Sequence, residues 1–209
     1  RDLHSFPTRR SSDLVGGTMY NKSAETYTVT TAAQLQTIAA AVSAGDPLKG
    51  KTIRLDADLA LTGTDWIPAG DAEHHFEGTF DGQGHTIRDM KVSTSSGYSG
   101  LFGYNAGTIK NLTVSGTVTD TSSNDFVGGI AAFNCGTIEN IISDVTVNAG
   151  NCYNVGGIAG LSTSGYWVKK SGSSDALQKI EDATGLITKC TVNAPTRSEE
   201  RRVGKECRS

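Results

Sequence analysis

The fold is decided by the phrase GLFGYNAGTIKNL at residues 100–112, which returns as GIAAFNCGTIENI at residues 129–141 and, shortened, as GIAGL at residues 157–161. The first residues of these three copies are 29 and 28 positions apart. A repeat of this length has room for one turn of a solenoid and is too short to be a domain. The spacing therefore predicts a stack of equivalent turns.

The apolar residues between the glycines alternate with polar ones, as in Leu112, Val114 and Val118, which predicts strands with one buried face. In a β-sandwich, consecutive strands would usually be joined by two-residue hairpins, whereas here the turns are longer and recur at fixed positions. We therefore predict an all-β fold, a right-handed parallel β-helix in which each turn adds about 4.8 Å.

A single helix is expected before the strands. Residues 31–34 read TAAQ, a capping box in which the Thr31 hydroxyl accepts from a backbone N–H and Gln34 reaches back. Apolar residues then recur at helical spacing, and Gly45 supplies a left-handed stop. A short, alanine-rich helix needs a surface to pack on, so we expect it to cap the N-terminal end of the solenoid.

The repeat also predicts which residues stack. Aligning residues 186–192 with residues 108–114 makes Leu112, Ile141 and Cys190 equivalent, and places Asn111 over Asn140 in an amide ladder that Lys189 interrupts. Tyr104 and Phe133 align in the same way and should stack. The glycines assigned to structural repeat positions are Gly100, Gly103, Gly107, Gly129, Gly136, Gly157 and Gly160.

An insertion at residues 166–184 interrupts the third copy, with a helical turn expected at residues 176–181. Insertions in solenoids emerge as loops and often bind ligands. The candidate binding residues are Tyr166, Trp167, Lys169 and Lys170, since an exposed aromatic pair beside cations can stack on sugar rings or anchor a partner protein. The alternative is that these aromatic residues only cover the base of the insertion.

The two ends of the sequence differ from the rest in composition, and they are related to each other through the DNA that could encode them. A DNA string that encodes residues 197–207 has a reverse complement that, read one base in, encodes residues 4–14, and this string resembles a short-read sequencing adapter. We expect residues 1–14 and 197–209 to be non-native tails, and residues 15–196 to form one domain of a larger protein.

Residues 15–196 contain 17 Asp and Glu against 11 Lys and Arg, a net charge of about −6. An acidic surface argues against nucleic acid or an anionic membrane as a partner. We expect no membrane insertion within these residues, since no apolar run is long enough to span a bilayer. Cys135, Cys152 and Cys190 lack metal-site spacing and are interpreted as free thiols, with a Cys135–Cys152 disulfide as the alternative.

No catalytic residue, metal ligand or cofactor is assigned. The alternatives considered are an acidic loop and a pair of aspartates. Asp65, Asp71, Glu73 and Glu77 lie near His74 and His75, so two carboxylates could act as acid and base on a glycan, or the histidines could ligate a metal. Asp56 and Asp58 alternate along a strand and suggest calcium. Polar residues of a surface loop explain the first group equally well.

The repeat phrase, together with GTFDGQGHTI at residues 78–87, resembles the GLUG-motif domain over residues 27–192, with Ala132 in place of a closing glycine. The resemblance implies a β-helical segment of a large bacterial surface or secreted protein, such as an adhesin. We therefore expect a non-catalytic structural or adhesion segment, extracellular or at the cell surface, with its signal and anchor outside this sequence. Its expected partners are an extracellular glycan or a host or bacterial surface protein. The alternative is part of a glycan-active β-helix enzyme, a polysaccharide lyase or hydrolase.

Overall fold

The computed structural model describes residues 14–15, 18–19, 22–94, 97–123, 126–164, 167–169, 177–179, 184–194 and 196–198. Tyr166 and Lys170, two of the four predicted binding residues, lie outside these ranges. So do most of the residues of the two predicted tails. The described part of the chain is mostly β, with parallel sheets stacked as a solenoid of about five turns and one short helix near the N-terminus.

The described residues form one helix and a series of short and long strands. The first are β1 (Leu14–Val15), β2 (Thr18–Met19), β3 (Thr26–Val29), α1 (Ala32–Ser43), β4 (Thr52–Leu55), β5 (Leu59–Ala60), β6 (Thr79–Asp81) and β7 (Thr86–Thr94). The repeats contain β8 (Tyr98–Ser99), β9 (Phe102–Asn105), β10 (Thr108–Ser123), β11 (Phe126–Gly128), β12 (Ala131–Asn134), β13 (Thr137–Asn151), β14 (Asn154–Gly156) and β15 (Ala159–Ser162). The last are β16 (Trp167–Lys169), β17 (Leu177–Lys179), β18 (Leu186–Thr188), β19 (Thr191–Val192) and β20 (Thr196–Ser198).

Each complete turn consists of one long strand and two short ones, and each stacks on its equivalents in a parallel sheet. The large sheet has the order β18-β13-β10-β6-β4-β3, with β7 also paired to β10 and to β5, and with β19 and β20 paired to β13. The short strands form the sheets β14-β11-β8 and β15-β12-β9. In the longest pair, Thr108 lies opposite Thr137 and Leu112 opposite Ile141, which confirms the predicted register.

The long strands bend at a residue with left-handed backbone. Asn111 and Asn140 have φ of 54° and 53°, and Lys189 in the following turn has φ of 52°. Asparagine tolerates this conformation better than most residues because its short polar side chain can form local hydrogen bonds. The bend turns one strand into two faces of the solenoid, and so the asparagine of the repeat marks a corner of each turn.

The interior of the solenoid is apolar, as the alternation predicted. Val114, Val118, Val145 and Val147 are fully buried, whereas Ile142 on the outer face is 44% exposed. The core continues under α1, whose buried residues are Leu35, Thr37, Ile38, Ala39, Ala41 and Val42. The predicted capping box is present: the Thr31 hydroxyl accepts from the Gln34 backbone N–H at 3.3 Å, and the Gln34 amide accepts from the Thr31 N–H at 3.1 Å.

One prediction about the insertion is wrong. A helical turn was expected at residues 176–181, but Leu177–Lys179 is extended and pairs antiparallel with Trp167–Lys169. Pairing with a second strand satisfies backbone groups that a single isolated turn of helix would leave open. At the C-terminal end, strand Thr196–Ser198 pairs with residues 147–149 and crosses the predicted domain boundary at Arg197.

Candidate functional site

An outer amide ladder runs along one corner of the solenoid. Asn140 Nδ2 donates to Asn111 Oδ1 at 2.9 Å, and Asn111 Nδ2 donates to Asp81 Oδ1 at 3.0 Å. The predicted contact between Asn111 and Asn140 is therefore confirmed, and the ladder extends one turn further to an aspartate. Asp81 also accepts from the backbone N–H of Gln83 at 3.0 Å, which holds the glycine turn that follows it. These side chains stabilise the corner.

A second ladder lies inside the protein and was not predicted. Asn105 Nδ2 donates to Asn134 Oδ1 at 2.7 Å, and Asn134 Nδ2 donates to Ser162 Oγ at 2.9 Å. The Ser162 hydroxyl in turn donates to the carbonyl oxygen of Gly185 at 2.9 Å. Both asparagines are fully buried, so each amide needs these partners to offset its loss of hydration. The signal was present in the sequence, since Asn105 and Asn134 occupy the same position of the repeat.

The repeat glycines are required by close backbone approach. A Cβ atom on Gly107 would lie 2.1 Å from the carbonyl oxygen of Gly78, and one on Gly136 would lie 2.0 Å from that of Gly107. An added Cβ would also lie within 3.0 Å of a neighbouring atom at Gly100, Gly103, Gly129, Gly157 and Gly160. These positions determine how closely successive turns stack, and none of the seven has a positive φ.

The apolar equivalents also stack as predicted. Leu112 and Ile141 are paired and buried, and Cys190 is half-buried and packs against the same core. Burial raises the pKa of the Cys190 thiol, so it stays protonated at neutral pH. Cys135, Cys152 and Cys190 are all free thiols, as the spacing indicated. The alternative, a disulfide between Cys135 and Cys152, is not formed.

Aromatic side chains form a second cluster, separate from the interior core. Tyr104 and Phe133 stack with ring centroids 4.6 Å apart and an interplanar angle of 17°, as predicted. Tyr98 and Phe126 stack beside them at 5.5 Å, and Phe126 meets Phe133 edge to face at 5.4 Å. Tyr104, Phe133 and Cys135 are fully buried, and burial raises the pKa of the Cys135 thiol to about 11. A thiol with such a pKa is a poor nucleophile.

The carboxylates of the acidic loop each bind a different group. Asp65 Oδ1 accepts from Lys91 Nζ at 2.8 Å, across neighbouring turns. Asp71 Oδ1 accepts from the backbone N–H groups of Glu73 and His74, both at 2.8 Å, and so closes a local turn. Within the part of the chain that the structure describes, no group of three or more His, Cys, Asp or Glu side chains is placed to hold a metal ion.

Glu77 contacts both a histidine and a lysine side chain. Its Oε1 lies 2.9 Å from His75 Nε2, and its Oε2 lies 3.0 Å from Lys49 Nζ. The hydrogen bond from His75 is the main cause that lowers the pKa of Glu77 to about 2, and Lys49 contributes against the opposing effect of burial. A carboxyl with this pKa is ionised at neutral pH and cannot act as a general acid there. The His75 ring also packs 5.7 Å from Tyr104.

The two aspartates considered for calcium are paired with cationic or polar neighbours. Asp56 binds Arg54 through two hydrogen bonds of 2.8 and 3.0 Å. Asp58 Oδ1 accepts from the Thr86 backbone N–H at 2.9 Å and lies 3.0 Å from His85 Nδ1. These contacts, led by the backbone hydrogen bond, lower the pKa of Asp58. Asp58 thus links its own turn to the start of β7, whereas the pair of Asp56 and Arg54 is local to β4 and the residue after it.

Asp120 is the one aspartate that the structure places in the interior among the residues it describes, and sequence reasoning did not single it out. Its side chain is buried, Ser99 Oγ donates to Oδ2 at 2.5 Å, and the Ser122 backbone N–H donates to Oδ1 at 2.8 Å. The Ser122 hydroxyl also donates to Oδ1. Three donors thus satisfy the carboxylate, and they tie the end of β10 to β8. The equivalent position in the next turn is occupied by Ala149. Because the aspartate does not recur at the repeat spacing, nothing in the sequence singled it out.

The insertion holds the remaining predicted binding residues. Trp167 lies opposite Lys179 and Lys169 opposite Leu177 in the antiparallel pair of β16 and β17. These strands lie within residues 163–185, which connect β15 to β18 along the chain. Two residues, Cys135 and Gly136, make the equivalent connection one turn earlier, from β12 to β13.

The fold and its contacts define the chain as a parallel β-solenoid whose repeated side chains mainly bind one another. Comparison with models of protein families, with curated proteins and with solved structures found no match. Among the residues with a described structure, no helix is long and apolar enough to cross a membrane.

Proposed function

We propose that the chain is a non-catalytic structural and adhesion segment of a bacterial cell-surface or secreted protein, of the GLUG-motif type. A regular solenoid supplies length and a rigid frame, and its stability is approximately a sum over turns and interfaces. Such a frame can present its loops to a partner without any need for a catalytic cleft. Its partner would be an extracellular glycan or a surface protein.

One observation carries this proposal: the polar side chains of the repeat bind the next turn. The ladders Asp81–Asn111–Asn140 and Asn105–Asn134–Ser162 satisfy the repeated amides. In the acidic loop, Asp65, Asp71 and Glu77 each have separate partners. A glycosidase needs two carboxyl groups facing one bond, with one of them able to donate a proton. The contacts of these three carboxylates favour a structural role.

The test combines turnover with binding on the full chain. Purified protein would be incubated with a panel of neutral and acidic polysaccharides, and both reducing ends and unsaturated uronate absorbance would be followed. We expect no product above a buffer control, together with retention of fluorescently labelled protein on some glycans or surface proteins of an array. Turnover that is lost in Glu77→Gln would refute the proposal in favour of the glycan-active enzyme. Absence of retention on every array would remove the adhesion role.

A further inference from the structure

The outer face of the large sheet carries two straight columns of side chains before the asparagine corner. The first residue of each strand forms one column, in which threonine recurs in five successive turns: Thr26, Thr52, Thr79, Thr108, Thr137 and then Leu186. The third residue forms the other column: Thr28, Arg54, Asp81, Lys110, Glu139 and Thr188. Both columns point outward, because the residue between them is buried in four consecutive turns: Ile53, Phe80, Ile109 and Ile138.

The four charges of the second column alternate in sign from turn to turn. Arg54 and Lys110 are cations, Asp81 and Glu139 are anions, and neighbouring strands lie about 4.8 Å apart. Lys110 Nζ lies 3.7 Å from Asp81, and these two side chains are 31% and 14% exposed. The Arg54 side chain is 44% exposed and gives two of its five N–H donors to Asp56. Arg54 therefore keeps donors for a further partner.

We propose that this face pairs with the same face of a second copy of the chain, with the two solenoid axes antiparallel. When the order of four alternating charges is reversed, every charge lies opposite one of the other sign. Arg54 then faces Glu139 of the second copy, and Asp81 faces Lys110 of the second copy, each pair occurring twice. Such self-complementarity is what a two-fold interface between identical surfaces requires. A column of alternating charge offers no comparable match to a ligand of one sign, such as an acidic glycan.

The charges select one of two ways in which the flat faces can meet. A two-fold axis parallel to the solenoid axis would preserve the order of the turns, so that Arg54 would face Arg54 and Glu139 would face Glu139. A two-fold axis parallel to the strands, lying between β6 and β10, reverses the order and keeps each column opposite itself. Threonines of the first column then face threonines, and at each end Thr26 faces Leu186. Opposite charges favour this second arrangement, and like charges exclude the first.

The face is narrow, so the pairing should be weak and dominated by charge. Six strands span about 24 Å, and the two columns are about 7 Å apart. A contact of this size is well below the roughly 800 Å² per partner of a standard interface and belongs to the transient class. The inference rests on the proposed adhesion role, for which it names a second copy as the surface-protein partner. Antiparallel pairing would join solenoids that project from two facing surfaces, where many copies raise the effective concentration.

The first experiment measures self-association of the full chain by sedimentation equilibrium over a series of protein concentrations. Ile187→Lys is carried in every sample, so that association through the exposed edge strand β18 does not contribute. We expect a weak equilibrium between monomer and dimer. Raising the ionic strength from about 0.01 M to about 1 M shortens the screening length from about 30 Å to about 3 Å and should lower the association constant at least tenfold. A dimer that is insensitive to salt, or no dimer at any concentration, would overturn the inference.

A charge exchange between two variants tests the pairing itself. Arg54→Glu and Glu139→Arg should each lower the association constant at least tenfold, because each places two pairs of like charges in the dimer. In an equimolar mixture both outer pairs are again of opposite charge, so the two variants should associate with each other about as tightly as the unexchanged protein does. Fluorescent labelling of one variant separates this heterodimer from either homodimer. A mixture that associates no more tightly than the single variants would overturn the inference.

A matched control changes the same net charge outside the two columns. The Arg88 side chain is 60% exposed on β7 and pairs with the neighbouring Asp89. Arg88→Glu should therefore leave self-association unchanged, and a loss equal to that of Arg54→Glu would show that only net charge matters and would overturn the inference. Circular dichroism of each variant verifies that the solenoid is folded. Recovery in the mixture is itself evidence that both variants are folded, since an unfolded chain has no face to pair.

The outcomes separate this interface from the proposed function. If an array retains the protein on glycans or other surface proteins while no charge-dependent dimer forms, the adhesion role stands and the self-pairing is refuted. If a polysaccharide is cleaved, the non-catalytic function is refuted whether or not the chains pair. Recovery of association in the mixture of Arg54→Glu and Glu139→Arg, without turnover of any polysaccharide, supports both.

Discussion

Replacing one buried residue and its exposed neighbour by the same amino acid tests the inward and outward faces of the turns. Ile141 is fully buried opposite Leu112, whereas Ile142, the next residue of the same strand, is 44% exposed. Ile141→Asp removes an isoleucine from the interior at a cost of about 1.5–3 kcal/mol. Ile142→Asp places a carboxylate in water and should change the free energy of unfolding by less than about 1 kcal/mol.

The carboxyl group adds a second, pH-dependent cost at residue 141. Ile141 belongs to the apolar core cluster, so the group should be protonated on burial, which costs about 4 kcal/mol at pH 7 for an ordinary aspartate pKa near 3.9. The two costs together are about 6 kcal/mol, within the range of the whole free energy of unfolding of a typical domain. We therefore expect Ile141→Asp to be largely unfolded at pH 7.

Urea unfolding followed by circular dichroism at pH 7 and pH 4 measures both effects. The deficit of Ile141→Asp relative to the wild type should shrink by about 4 kcal/mol at pH 4, where roughly half of the carboxyls are already protonated in the unfolded state. Ile141→Asn, of similar shape but without a titrating group, should show no such recovery. An Ile141→Asp protein within about 1 kcal/mol of the wild type at pH 7 would refute the assignment of this face to the interior.

Three further predictions concern stacking, charge and the sheet edge. Gly136→Ala should cost roughly 3 kcal/mol, because its Cβ would lie 2.0 Å from a backbone oxygen, whereas Gly150→Ala, with 3.6 Å to its nearest atom, should cost less than about 1 kcal/mol in the same urea titration. Glu77→Gln should lower stability at pH 7 by about 1 kcal/mol, allowing for solvent screening. Because the pKa of Glu77 is lowered from 4.5 to about 2, wild type and variant should converge as the pH falls through that range, and a constant difference would contradict the pairing. Ile187, 37% exposed on edge strand β18, should promote association, so Ile187→Lys should lower the sedimentation-measured oligomer fraction while Ile67→Lys, at an exposed site away from that edge, should not.

The stacking contacts were the most predictable part of the candidate site. Residues at equal positions of a repeat become neighbours when turns stack in parallel, so the Asn111–Asn140 hydrogen bond and the Tyr104–Phe133 stack followed from spacing alone. The same reasoning could have found the Asn134 ladder. It did not show that this amide is buried while Asn140 is exposed, because the side of the strand depends on where the strand bends.

The partners of the loop carboxylates were beyond the reach of the repeat. Glu77 lies next to Lys49 and Asp65 next to Lys91, and these pairs are 28 and 26 residues apart, about one turn. They lie before the first copy of the repeat phrase, so the sequence offered no second copy against which to align them. Their proximity depends on how irregular loops pack over the first turns. The cluster of acidic residues in the sequence suggested that they act together. In the structure, Asp65, Asp71 and Glu77 each contact a different group.

The sequence by itself determined the solenoid, the register of its turns and its apolar interior, because a 28- to 29-residue repeat with alternating apolar residues can bury its strands only by stacking equivalent positions. Only the tertiary structure decided which polar groups face inward, which groups contact Asp65, Asp71 and Glu77, and that β16 pairs with β17. The spacing of the repeat brings residues together but does not specify which side of a strand faces inward or how the loops of the first turns pack. Spatial proximity decides such contacts, and in this chain that proximity came from the bends, the loops and the capping helix.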